Sequence, residues 1–236
     1  MVVAALERLA SKRTRDGLAR YGIPSDDALG VTIGAIQKLA KSVGRDHDLA
    51  EALWQTGWYE ARLLAAYVDD PERVTAAQMD RWCHDFDNWG ICDTVCFTLF
   101  DRSPHAWRKA PKWAGCRSEF EKRGAFALMA CLALHDKKAT DDAFLPFLPL
   151  IERAATDDRN FVKKAVNWAL RAVGGRSAAL NVATVAVSRR LAGSPDATAR
   201  WVGKDALRQL TSPVTTRRLA AKAHAPSRRK ASAKAL

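Results

Sequence analysis

The stretch Phe161-Val162-Lys163-Lys164-Ala165-Val166-Asn167-Trp168-Ala169-Leu170-Arg171 is a basic pair followed by small and apolar residues. The same pattern occurs upstream, in Glu121-Lys122-Arg123-Gly124-Ala125-Phe126-Ala127-Leu128, and downstream, in Arg200-Trp201-Val202-Gly203-Lys204-Asp205-Ala206-Leu207-Arg208. Ala125 and Ala165 lie 40 residues apart, and Ala165 and Ala206 lie 41 apart. A self-similar segment at that spacing marks a stacked array of helix pairs, in which each pair buries its apolar face against the next.

The rest of the chain agrees. Alternating β-branched runs are few, and Ala, Leu, Arg and Lys, all good helix formers, dominate. Breaks fall near Gly22–Ser25, Gly44–Asp46, Asp69–Pro71, Ser103-Pro104, Gly115, Lys137–Asp141, Gly174-Gly175 and Gly193–Pro195, giving helical segments of about 10–20 residues. Asp157-Asp158, Ser194-Pro195 and Ser103-Pro104 each supply an N-cap oxygen or an N1 proline for the helix that follows. The predicted fold is all-α, a HEAT-like helical-repeat superhelix (α-solenoid). On one reading the repeated Lys and Arg line a concave basic cleft, and on the other they are a solvated outer face.

The 236 residues are 48% hydrophobic, which excludes disorder of the whole chain. Apolar runs such as Leu145–Ile151 are far too short for a spanning helix, and no export signal is visible, so a cytoplasmic, nucleoid-associated protein without membrane partners is expected. Five cysteines, an odd number, are expected to be reduced. The net charge is +12, and Arg217–Leu236 hold seven Lys or Arg and no acid, leaving +5 on residues 1–216. A basic body favours a polyanion, most simply nucleic acid. Residues 1–216 are predicted to form the folded domain and 217–236 a basic disordered tail.

No Gly-rich phosphate loop, His-Glu-x-x-His, Cys-x-x-Cys or Gly-x-Ser-x-Gly is present, which removes the corresponding enzyme classes. Cys83, His84, Cys92 and Cys96 are close in sequence but match no common zinc spacing, so neither a metal site nor a nucleotide cofactor is predicted. Eight tryptophans are unusual. Within Phe86-Asp87-Asn88-Trp89-Gly90-Ile91-Cys92-Asp93, Trp89 and Asp93 are four apart and share a helix face. A carboxylate beside an indole suits a cationic ligand. The same spacing also fits a capping acid and a core tryptophan.

The run Trp89-Gly90-Ile91-Cys92-Asp93, followed by Phe161-Val162-Lys163-Lys164-Ala165-Val166-Asn167-Trp168-Ala169-Leu170-Arg171, resembles the AlkD-type DNA alkylation repair glycosylases from about Leu18 to Thr211. The resemblance implies a HEAT-like superhelix that hydrolyses the N-glycosidic bond of cationic alkylated purines, 7-alkylguanine and 3-alkyladenine, in double-stranded DNA without deep base flipping. It also implies Asp93, Trp89 and Trp168 as catalytic residues. Tyr21 and Arg123 follow as DNA contacts, Arg123 anchoring a phosphate, with Lys163, Lys164, Arg171 and Lys204 on the basic face. A monomer is expected. The family often has Trp-Trp-Asp where this chain has Asn88-Trp89-Gly90, which removes one aromatic and one carboxylate from the rim. The rival expectation is a non-catalytic HEAT-like protein that binds branched or distorted DNA.

Overall fold

A computed structural model describes residues 2–224, and among these the regular elements are all helical. In chain order they are α1 (Val2–Arg8), α2 (Lys12–Asp16), α3 (Ile33–Val43), α4 (His47–Gln55), α5 (Tyr59–Val68), α6 (Ala76–His84) and α7 (Trp89–Thr98). They continue as α8 (Ala106–Trp113), α9 (Glu119–His135), α10 (Phe147–Ala154), α11 (Asn160–Gly174), α12 (Ala178–Ala192), α13 (Ala197–Leu210) and α14 (Pro213–His224). The predicted breaks fall between helices or at their ends. Breaks at Thr56–Trp58 and Asp85–Asn88 are additional, so several helices are shorter than the expected 10–20 residues.

The three predicted caps are placed differently. Asp196, not Ser194, caps α13, its Oδ1 accepting from the Ala199 N–H at 2.7 Å. The hydroxyl of Ser103 accepts from the His105 N–H at 3.3 Å, ahead of α8 rather than on its first turn. Asp157 is taken by cations, Lys122 at 2.9 Å and Arg159 at 2.6 Å, and α11 starts without a side-chain cap. Asp157 Oδ1 also accepts the Arg159 N–H at 3.3 Å, just ahead of the helix, beside the shorter and stronger bonds from the charged donors.

Helices α5, α7, α9, α11 and α13 pack each on the next and form one layer, the second helices of successive pairs, while α4, α8, α10 and α12 back that layer. This is the HEAT-like plan. Ala125, Ala165 and Ala206 occupy equivalent places on α9, α11 and α13, and all three are fully buried. Every residue of α9 from Arg123 to Ala133 is buried because α6, α7, α8 and α11 all pack on it. A helix enclosed in this way loses its amphipathic stripe.

Much of the tryptophan content belongs to this scaffold. Trp54 of α4 and Trp82 of α6 stack with ring centroids 3.9 Å apart, both fully buried. Trp54, Trp107 and Trp113 each donate an indole N–H to an aspartate of a neighbouring repeat, Asp85, Asp136 and Asp80 respectively, at 2.8–3.0 Å. These bonds satisfy the polar edge of a buried ring.

The segment before α3 is tied down by one buried carboxylate. Glu60 of α5 accepts from the backbone N–H groups of Leu29, Gly30 and Val31 at 2.8, 2.7 and 3.1 Å. Gly30 has φ +82°, and a Cβ there would lie 2.2 Å from the Ser11 carbonyl oxygen, so only glycine fits. At the other end, the predicted domain boundary after residue 216 falls inside α14. Thr215 and Leu219 are buried and Lys222 Nζ donates to the Gly175 carbonyl at 3.0 Å, which holds the helix past that boundary. The remainder of the predicted tail, 225–236, lies outside the described residues.

Candidate nucleic-acid interface

Asn88 starts the central element of the site. Its Oδ1 accepts from the Ile91 N–H at 3.0 Å and caps α7. From there Trp89, Asp93 and Phe97 recur every fourth residue and share one face of α7. Residue 90 is glycine for a local reason: a Cβ there would lie 2.6 Å from the Tyr59 hydroxyl and 3.1 Å from Asn88 Oδ1. The departure from Trp-Trp-Asp therefore reflects a cap at 88 and a close approach of α5 at 90.

Asp93 is gripped by Arg123 of α9. Arg123 Nε donates to Oδ1 at 2.8 Å and Nη2 to Oδ2 at 2.6 Å, while Nη1 donates to the Phe161 carbonyl at 2.7 Å. The Arg123 side chain is buried, and Asp93 keeps 23% of its side chain exposed. Burial pushes the Asp93 carboxyl above the usual carboxylate range, and the guanidinium pulls the other way. This corrects the expectation that Arg123 anchors a phosphate. Its hydrogen bonds go to Asp93 and the α11 backbone, so the buried guanidinium is engaged inside the protein.

The exposed edge of Asp93 opens into a hollow of about 190 Å³, with Tyr67 of α5, Thr94 and Phe97 of α7 and Trp168 of α11 in its wall. Asp93 and Trp168, 75 residues apart in sequence, thus meet at one site. Trp89 does not line this hollow. Its indole N–H donates to the Tyr21 carbonyl at 2.7 Å, and the Tyr21 ring, 58% exposed, lies under the Arg20 guanidinium. Trp89 and Tyr21 form a separate aromatic rim one turn away.

The predicted basic residues split into two groups. Lys163 sits 5.6 Å from the centre of the Trp201 ring, and Lys164 and Lys204 are exposed on α11 and α13. Arg171 holds Gln209 Oε1 through Nη1 at 2.6 Å. Lys122 and Arg123, the equivalent pair on α9, are neutralised by Asp157 and Asp93. The free charge of the repeat therefore lies toward α11 and α13.

Phe97 and Tyr67 were not singled out from the sequence. Extending the Trp89–Asp93 stripe by one more turn reaches Phe97, whereas nothing local marks Tyr67. Trp201 is 44% exposed, a large aromatic surface beside Lys163, and the interrupted periodicity of its helix is the available signal. Among the described residues no three His, Cys, Asp or Glu side chains gather as a metal site. Cys83, Cys92 and Cys96 are buried against the backbone of α9, and burial raises the thiols of Cys83 and Cys96. No helix among the described residues is long and apolar enough to cross a membrane.

Fold and site together define an all-helical HEAT-like repeat protein with a carboxylate set among aromatic side chains. The chain belongs to the family described as DNA alkylation repair enzyme, whose model matches residues 2–210. A solved structure described as "A new family of proteins related to the HEAT-like repeat DNA glycosylases with affinity for branched DNA structures" has the same fold, with a TM-score of 0.72. It is 22% identical, over 92% of this chain and 94% of that one. No curated protein matches the chain significantly.

Proposed function

We propose that this protein binds double-stranded DNA along the open face of its second helices and hydrolyses the N-glycosidic bond of cationic alkylated purines, 7-alkylguanine and 3-alkyladenine. The observation that carries this reading is the shared hollow of Asp93 and Trp168. Alkylation at these ring nitrogens makes the base cationic and already a good leaving group. The glycosidic electron pair departs with the base, which becomes neutral, and water adds to the sugar carbon and loses its proton. Positive charge on the sugar between these events is what a protein can stabilise.

Asp93 supplies that stabilisation. A carboxylate has about four lone-pair sites, and Arg123 occupies two, one on each oxygen, leaving the outward pair for the sugar and the attacking water. The Trp168 face adds cation–π attraction within the hollow, and Trp89 offers an aromatic face to the DNA at the rim one turn away. Tyr21, Lys163, Lys164, Arg171 and Lys204 hold the DNA, mainly through its phosphates. The reaction calls for no metal or nucleotide cofactor, because the leaving group needs no activation, and one chain suffices for it.

A second reading is a non-catalytic protein that binds branched or distorted DNA. It is favoured by the bidentate Arg123 on Asp93, which partly cancels the negative charge that base release would use. Single-turnover base release from a duplex carrying one 7-methylguanine separates the two. Release by the native chain and not by Asp93→Asn, with DNA binding retained by both, supports the glycosylase. Binding without release by the native chain, for 7-methylguanine and 3-methyladenine alike, selects the structure binder.

A further inference from the structure

Trp168 is the wall between two hollows, and the second is larger. It holds about 600 Å³ and lies between the C-terminal ends of α9 and α11 and the side of α14. Five cations reach it, Lys137, Arg171, Arg176, Arg218 and Lys222, against one carboxylate, Asp141.

Part of that charge has a structural task. Arg176 donates to the carbonyls of Ala133 at 3.2 Å and Ala139 at 2.6 Å, with Asp141 at 3.7 Å. Lys137 donates to the Leu134 carbonyl, and Lys222 Nζ to those of Gly175 and Arg176 at 3.0 and 3.3 Å. Cations capping the last carbonyls of a helix are ordinary, but each helix end offers roughly half a negative charge. Two helix ends and one aspartate leave about three positive charges unmatched. The repulsion is felt inside the cluster: burial, then Arg218, Lys137 and Arg176, push the Lys222 ammonium below its ordinary value.

Two guanidinium groups remain open to a ligand. Arg171 uses Nε on the Asn167 carbonyl and Nη1 on Gln209, which leaves Nη2. Arg218 reaches the α11 terminus, its Nη2 only 2.8 Å from where a Cβ of Gly175 would stand. Planar guanidinium forks beside ammonium groups match the oxygens of a phosphate.

We propose that this hollow is a phosphate site whose occupant is the backbone of the DNA strand that runs past Trp168. The strand is favoured over a free phosphate ligand by continuity, since the hollow opens from the Asp93 site across a single side chain. Gly175, which follows the last residue of α11, stands seven residues beyond Trp168, about 10 Å along the axis. A strand carrying one charge every ~3.4 Å bridges that distance within a few nucleotides. The inference rests on the DNA-binding part of the proposed function, not on base release.

The test uses the full chain with Arg218→Gln/Lys222→Gln, and Arg153→Gln/Arg189→Gln on the exposed faces of α10 and α12 as a control of equal charge loss. Duplex affinity is read by anisotropy between about 50 and 200 mM salt. The expected result is a tenfold or greater loss for the first variant, with a salt slope shallower by nearly two, and less than a twofold change for the control. The charge-keeping swap Arg218→Lys/Lys222→Arg retains affinity, which separates lost charge from a melted α14. Equal losses in the swap and in the Gln variant overturn the proposal, as does equal loss in the control. Inorganic pyrophosphate probes the other source. Pyrophosphate binding abolished by the Gln variant while duplex affinity is unchanged assigns the hollow to a small phosphorylated ligand and overturns the strand assignment. A native chain that binds no DNA overturns this inference together with the proposed function, whereas one that binds DNA without base release removes catalysis alone.

Discussion

Arg123 meets Asp93 with two parallel hydrogen bonds, at 2.8 and 2.6 Å, and the same guanidinium donates to the Phe161 carbonyl at 2.7 Å. One side chain therefore ties α7, α9 and α11 together at the point where the hollow opens. Removing one partner of such a buried pair leaves a charge without its counterion, at about 3–5 kcal/mol. Arg123→Ala is expected to lower stability by an amount near the lower end of that range, because Asp93 retains some contact with solvent. In a double-mutant cycle with Asp93→Asn and Arg123→Gln, urea unfolding is expected to show the two changes as strongly non-additive, with the double variant more stable than the sum of the singles implies. Additive losses would mean that the pair contributes nothing as a pair.

Trp168 and Trp82 provide a contrast between a partly buried and a fully buried indole. Trp82 is fully buried and stacked on Trp54, so Trp82→Ala is expected to cost about 3–5 kcal/mol. Trp168 is only partly buried and borders two hollows. Trp168→Ala is expected to cost under about 2 kcal/mol in thermal or urea unfolding, a typical value for a single substitution, while DNA affinity or base release falls at least tenfold. A Trp168→Ala chain as unstable as Trp82→Ala, with binding unaffected, would assign Trp168 to the core.

The repeat spacing was legible because it depends on burial: Ala125, Ala165 and Ala206 must be small wherever second helices touch, and periodicity records that directly. Asp93 and Trp168 were legible through the family motif, and the fold brings them to one hollow. The fate of Arg123 was not legible, since a Lys-Arg pair on a helix looks the same whether it faces solvent or a carboxylate from another helix 30 residues away. Asp157 illustrates the same limit: its sequence position is that of a cap, and only the fold brings Lys122 near enough to claim it. The helical path of the chain past residue 216 was not legible because composition there reports the exposed side of α14, while Thr215 and Leu219 carry buried positions on it.

Gly90 offers a test of why the rim departs from the family pattern. Alanine in a helix is ordinarily better than glycine by about 1 kcal/mol. At this position its Cβ would stand 2.6 Å from the buried Tyr59 hydroxyl, so Gly90→Ala is expected to destabilise by about 1–3 kcal/mol instead. Tyr59→Phe removes the nearest obstructing atom, and Gly90→Ala is expected to cost less in that background, with Asn88 Oδ1 at 3.1 Å and Ile23 Cδ1 at 3.3 Å still close to the added Cβ. The check is the difference in urea midpoint for Gly90→Ala with and without Tyr59→Phe. An equal penalty in both backgrounds would place the clash elsewhere.

Asp80 fastens α6 to α8 and makes stability depend on pH. Its Oδ2 receives Lys109 at 2.6 Å and Lys112 at 2.8 Å, and its Oδ1 receives the Trp113 indole at 2.9 Å. Burial alone would raise its pKa, but these donors outweigh burial and hold it down to about 2. An unfolded aspartate titrates near 3.9. A carboxylate depressed in the folded state adds stability that is complete above its unfolded pKa and disappears as pH falls through its folded one. The contribution is therefore present in full above about pH 4 and is lost between about pH 4 and pH 2. Asp80→Asn is expected to melt lower than the native chain at pH 7, where it leaves the buried Lys109 ammonium without its partner, and to approach the native chain as the pH drops toward 2. Because other carboxylates titrate in the same range in both proteins, the informative quantity is the difference between their melting curves at each pH. A difference that stays constant from pH 7 to pH 2 would show that Asp80 is not the group responsible.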